Sequence, residues 1–143
     1  MTFLSMSCFN YQIQSTKATS KAPNESSISG LIQEGGALLN ASRFEEALVS
    51  YDKVLKIDPR SVDALNGKGL ILNQLGKYDE AITWFDKALE IDPAFIDAMY
   101  NKAHALGELG KYKEALEWTD MALTLKPIIQ NNSNSNNLLL PND

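Results

Sequence analysis

His104 is the one histidine of this 143-residue chain, and Glu108 stands one helical turn after it. An imidazole beside a carboxylate could hold a metal or pass a proton. Both tasks need further ligands or partners at matched spacing, and Glu108 is the sole candidate, so His104 reads as a polar binding residue. The acidic pairs Glu45–Glu46 and Asp79–Glu80 have the composition of an acid–base couple. Each lies where a helix begins, and the positive helix end accounts for carboxylates there. Cys8, the single cysteine, has no patterned His or Lys near it to hold a thiolate. No glycine-rich phosphate loop, nucleophile arrangement or zinc spacing occurs. The expectation is a chain that is not an enzyme and takes no metal or cofactor.

Bulk composition narrows the alternatives. A net charge of −5 and a pI near 4.9 give no dense Lys/Arg field to displace counterions from a phosphate backbone. Nucleic acid is therefore an unsuitable partner. No stretch approaches the ~20 apolar residues of a membrane span. The start, "MTFLSMSCFNYQIQS", has no basic residue before Lys17 and no continuous apolar run, unlike a secretory signal. With one cysteine there is no internal disulfide, and a cytoplasmic location is expected.

The elements that would position His104 are written more than once. "LGKYDEAITWFDKALEIDP", from Leu75 to Pro93, and "LGKYKEALEWTDMALTLKP", from Leu109 to Pro127, agree at 11 of 19 positions. The chain is internally repeated. Pro59, Pro93 and Pro127 stand 34 residues apart and mark units 28–61, 62–95 and 96–129. A head, 1–27, and an Asn/Ser-rich tail, 130–143, remain. Both are expected to be flexible, because neither carries enough apolar surface to offset the entropy of ordering.

Each unit holds two helical periods. Leu65, Gly69, Leu72 and Leu75 recur at 3.6-residue spacing in the middle unit. Met99, Ala103, Leu106 and Leu109 do so in the third, and Leu31, Gly35, Leu38 and Ala41 in the first. Gly76 and Gly110 suit a helix C-terminus, whereas "SRFE" from Ser42 has the pattern of a capping box. A second stripe follows, formed in the middle unit by Tyr78, Ala81, Ile82, Phe85, Ala88, Leu89 and Ile91. The proline near the end of each unit is expected to stop it. The fold class is all-α.

A 34-residue helix–turn–helix unit with small residues at fixed places and a late proline resembles the tetratricopeptide repeat. The matching columns are Gly35, Gly69 and Ala103; Ala47, Ala81 and Ala115; Val54, Ala88 and Ala122; and the aromatic residues Phe44, Tyr78 and Tyr112, with Tyr51 and Phe85 in another. Val54 and Thr119 depart from the family's usual alanine and aromatic residue. The resemblance implies a right-handed α-solenoid of three units whose first helices line a concave groove.

That resemblance assigns the groove to Ile32, Gly36 and Leu39 of the first unit and to Asp63, Asn66, Leu70 and Asn73 of the second. The third contributes Asp97, Tyr100, His104 and Gly107. The implied function is a non-catalytic adaptor or scaffold that binds a protein or peptide segment, apolar near Ile32 and polar or basic near Asp97. Family members that grip the carboxylate tail of heat-shock chaperones would need Lys at the column of Ile32 and Asn at those of Gly36 and Gly67. They would also need basic residues at those of Asp97 and Asn101. None is present, so this is not expected to be a chaperone-tail adaptor.

Two further columns sit away from the groove. Trp84 and Trp118 are expected to cover the shoulder between units, and Lys68 and Lys102 to lay their stems on packed surface with the ammonium in water. Arrays of this family commonly end in an extra helix, and after Pro127 no amphipathic period supplies one. Leu116 and Leu123 are therefore expected to be partly bare. Three readings of that end stay open: self-association, a partner that supplies the missing helix, or a chain cut short relative to a longer array. The alternative function is a structural subunit that forms a homo-oligomer through it.

Overall fold

The computed structural model describes residues 25–135, with side chains from Ser27 to Ile128. Expectations for Cys8, for most of the head and for the last eight residues of the tail lie outside it. The described chain forms six helices and no strand. They are α1 (Glu25–Asn40), α2 (Phe44–Ile57), α3 (Val62–Gln74), α4 (Tyr78–Ile91), α5 (Ile96–Glu108) and α6 (Tyr112–Ser135).

The turn within each unit is the same device used three times. The N–H of Arg43 reaches the carbonyl of Leu38 while that of Ser42 reaches Leu39; Lys77 and Gly76, and Lys111 and Gly110, repeat the pair. This is the Schellman closure, and its left-handed residue is Ser42 (φ 58°), Gly76 (74°) or Gly110 (77°). The expected capping box at "SRFE" is thereby corrected. Ser42 ends α1, and Arg43 is the N-cap of α2 without a side-chain cap bond.

The closing prolines divide by their neighbours. Asp58 and Asp92 precede Pro59 and Pro93, and their Oδ1 atoms accept from the N–H of Arg60 and Ala94, each at 2.9 Å. These Asx turns hold the chain out of the helix, so α2 and α4 stop. Pro127 follows Lys126, which offers no such acceptor, and α6 runs on through the proline to Ser135. The expected stop at Pro127, and the flexible tail from residue 130, are corrected to that extent. The carbonyl that loses its donor is that of Leu123, on an exposed flank where water can replace the missing bond.

Packing follows the small-residue columns. Tyr51 from α2 lies against Gly35 and Gly67, and Phe85 from α4 against Gly69. A Cβ at Gly67 would stand 2.3 Å from the Tyr51 ring, and one at Gly69 2.4 Å from that of Phe85. Two apolar cores result, one around Ala47, Tyr51, Val54, Ala64 and Ile71, the other around Leu65, Phe85, Leu89 and Met99. Leu55 packs on both and joins them. Leu75, expected in the α3 stripe, is instead its exposed C-cap.

Candidate functional site

Consecutive helices all touch, and beyond them α1 meets α3 and α3 meets α5, whereas among the described residues α2, α4 and α6 do not meet one another. The first helices therefore form a continuous inner layer and the second helices fan apart outside it. That asymmetry curves the stack and makes the α1–α3–α5 face the candidate site.

Its polar centre is a pair of bonded seams between α3 and α5. Asn101 Nδ2 donates to Asn66 Oδ1 at 2.9 Å, and Asn73 Nδ2 lies 3.1 Å from His104 Nδ1. Asn66 is only 9% exposed, so it braces Asn101 and offers little surface of its own. Asn101, outside the lining named from the sequence, is the better exposed member of the pair. Asn73 Oδ1 is buried with no partner among the described residues. His104 and Glu108 are both exposed, with Nε2 and Oε1 3.9 Å apart. Among the described residues no group of three or more His, Cys, Asp or Glu side chains could hold a metal.

The other end is a cleft of about 580 Å³ lined by Ile28, Ser29, Ile32, Gln33, Asp58 and Asp63. It brings together Ile32 and Asp63, two residues named from the sequence, and adds Gln33 and Asp58. Gly36 lies 3.9 Å (from an ideal Cβ) from the Tyr51 hydroxyl. Burial, and secondarily the Asp63 carboxylate, push that hydroxyl above the ordinary phenol value. Tyr51 belongs to the packing columns, so sequence periodicity alone does not reveal that its hydroxyl approaches the inner face. Leu39, Leu70 and Tyr100 are half-buried between these ends, and Asp97 is exposed.

The shoulder between units is built by lysines. Lys68 Nζ lies 2.6 Å from Asp52 of the preceding unit and 4.2 Å from the Trp84 ring. One unit on, Lys102 Nζ lies 2.5 Å from Asp86 and 3.9 Å from Trp118. Both lysine side chains are mostly covered, as expected of their stems, and the ammonium lies between a half-exposed carboxylate and an indole face. No helix among the described residues is long and apolar enough to cross a membrane.

Helix pairs repeated in series around one shared inner layer define a helical-repeat solenoid. The chain belongs to the tetratricopeptide repeat family: two models of that family match residues 32–94 and 72–127. The TPR2B domain of yeast Sti1, in its complex with pHsp70, is 28% identical, with a TM-score of 0.68 over 77% of this chain and 88% of that one. The second TPR of Spaghetti (RPAP3), bound to the HSP90 peptide SRMEEVD, is 20% identical, with a TM-score of 0.64 over 68% and 91%. The crystal structure of MamA is similar at 22% identity and a TM-score of 0.65; the match covers 73% of this chain and 61% of that one. No curated protein matches the chain significantly.

Proposed function

We propose that the chain is a non-catalytic interaction module, an adaptor or scaffold, that takes a peptide or helix in the α1–α3–α5 groove. One observation carries this reading: two bonded pairs, Asn66–Asn101 and Asn73–His104, join α3 to α5 and set amides and a histidine on the shared inner layer. Amides and a histidine there can both donate to and accept from a peptide backbone without demanding a charge on it. Tyr100 adds an apolar face beside them, a residue type favoured in interface centres.

Charge sets the class of ligand. Asp58 and Asp63 line the cleft beside Ile32, and Asp97 stands exposed at the start of α5. The bound segment is polar or basic at these points and apolar against Ile32 and Leu39. The acidic HSP90 peptide SRMEEVD bound by the Spaghetti domains is the wrong sign for this surface. The columns of the carboxylate clamp carry Ile32, Gly36, Gly67, Asp97 and Asn101. Gly67 is packed against Tyr51 too tightly for a side chain to be added without moving the ring.

The test is selection of binders from a random peptide display library, followed by NMR mapping. Tyr100, Asn101 and His104 resonances should shift, and the Tyr100→Ala/His104→Ala variant should lose about ten-fold or more in affinity. Asn66 is left intact because its removal would strand Asn101. Unchanged affinity in that variant removes the groove reading. A second reading, assembly through the far end, is favoured by Leu116 and Leu123, which are 61% and 53% exposed.

A further inference from the structure

The structure contains its own measure of what a second helix buries when the next unit packs on it. α5 packs on α4, and there Leu89 is 8% exposed, with Ile82 and Tyr78 half-buried in the same core. The same columns on α6 are Leu123, Leu116 and Tyr112, and Tyr112 is 74% exposed. The bare residues trace the footprint that a following first helix leaves on its predecessor. A shallow, mostly apolar hollow lined by Asp120, Met121, Thr124 and Leu125 lies on the same helix.

The junctions inside the stack also set the charge that such a helix must carry. The outgoing carboxylate of each earlier unit, Asp52 or Asp86, receives the lysine of the next unit, Lys68 or Lys102. Asp120 holds that column in α6 and is exposed. The first helix of another copy cannot answer it in the same register, because Glu34 stands in the lysine column of α1. Head-to-tail stacking would set two carboxylates together, and like charges across an interface oppose it.

We infer that the outer face of α6 docks an amphipathic helix of a partner protein carrying a lysine or arginine opposite Asp120. This face lies apart from the α1–α3–α5 groove, and the carboxylate–carboxylate clash favours a basic partner helix over a second copy. Tyr112 adds a polar term. Tyr78, its counterpart, donates to Glu108 of α5 at 3.4 Å, so an acidic residue six positions after the basic one fits the same helix.

The probe is a stapled, fluorescent peptide with the sequence of residues 95–110, titrated into the full chain by anisotropy. Binding should be saturable, fall about ten-fold or more when the peptide lysine is replaced by glutamate, and return when that peptide meets Asp120→Lys protein. Leu123→Asp should abolish it, while Tyr100→Ala/His104→Ala should leave it unchanged. Indifference to both charges, or no saturable binding, overturns the inference. So does a concentration-dependent dimer that Leu123→Asp dissolves, which would make a second copy the occupant. Tighter binding after removal of residues 136–143 would assign the face to the chain's own tail and overturn it equally.

Discussion

Replacing Gly69 by alanine sets two well-measured effects against each other. Alanine in a helix interior gains roughly 0.5–1 kcal/mol over glycine. At Gly69 the new Cβ would lie 2.4, 2.7 and 3.0 Å from three ring carbons of Phe85. No rotation of the ring about its own axis clears all three, and Phe85 is fully buried, so the ring can only move with α4. Forcing a methyl group into a filled core costs about 1–3 kcal/mol, and a contact this short belongs in the upper half of that range. Overpacking wins. The Gly69→Ala chain should be destabilised by about 1–2.5 kcal/mol after the helix gain is subtracted.

Gly30→Ala and Gly107→Ala are the controls, since a Cβ at either meets nothing within 4 Å. Those variants should show only the gain, about 0.5–1 kcal/mol of added stability. Urea unfolding followed by far-ultraviolet circular dichroism reads all three. A Gly69→Ala chain as stable as the Gly107→Ala chain would refute the claim that these glycines exist to admit aromatic rings.

Other consequences can be measured in the same way. The third unit has Ala103 and Thr119 where the second has Gly69 and Phe85, so Thr119→Phe alone should clash with the Ala103 methyl. Adding Ala103→Gly should relieve it, with a coupling of about 1–2 kcal/mol in a double-mutant cycle. Tyr51 has its hydroxyl raised above the ordinary phenol value, by burial first and Asp63 second. Its contribution is therefore complete below the unfolded value of about 10 and lost as pH rises through the folded one. Wild type should lose melting temperature more steeply than Tyr51→Phe across that alkaline window. Lys102→Met keeps the stem but removes the ammonium held by Asp86 and Trp118. It should cost about 1 kcal/mol, discounted for the half-exposed aspartate, and added salt should narrow the difference.

The C-terminal ends of α2, α3, α4 and α5 and the packing columns were legible in the sequence because a packed repeat must satisfy the same geometry each time. Gly35, Gly69 and Tyr51, Phe85 are recognisable as small and large halves of one contact. What was not legible depended on a neighbour's identity. Pro59 and Pro127 look alike in the repeat, yet only the first follows an aspartate able to form an Asx turn, and only it ends a helix. Ser42 carried two opposite signals, a left-handed C-terminus and a capping serine, and the Schellman bonds of Ser42 and Arg43 decided for the first. Asn66 was legible as an inner-face residue, but its bond to Asn101 depends on how α5 sits on α3, which spacing within one unit cannot report.

The lysine shoulders give the stack a direction. Each junction joins an outgoing aspartate to an incoming lysine, and the lysine lies on the tryptophan of its own unit. In a repeat array, stability is a sum of unit terms and nearest-neighbour junction terms, so these bonds stabilise order as well as fold. A unit inserted backwards, or a unit bearing Glu34 in the lysine column, loses the junction term and adds a repulsion. The second unit is matched on both sides, by Asp52 before it and Lys102 after it. Among the described residues the third is matched only through Lys102, and Asp120 with its bare leucines is left as half of a junction. Fraying should therefore begin in α6, and hydrogen exchange should be fastest there and slowest in α3 and α4. A partner helix with the complementary charge would reverse that gradient at the α6 end without touching the groove.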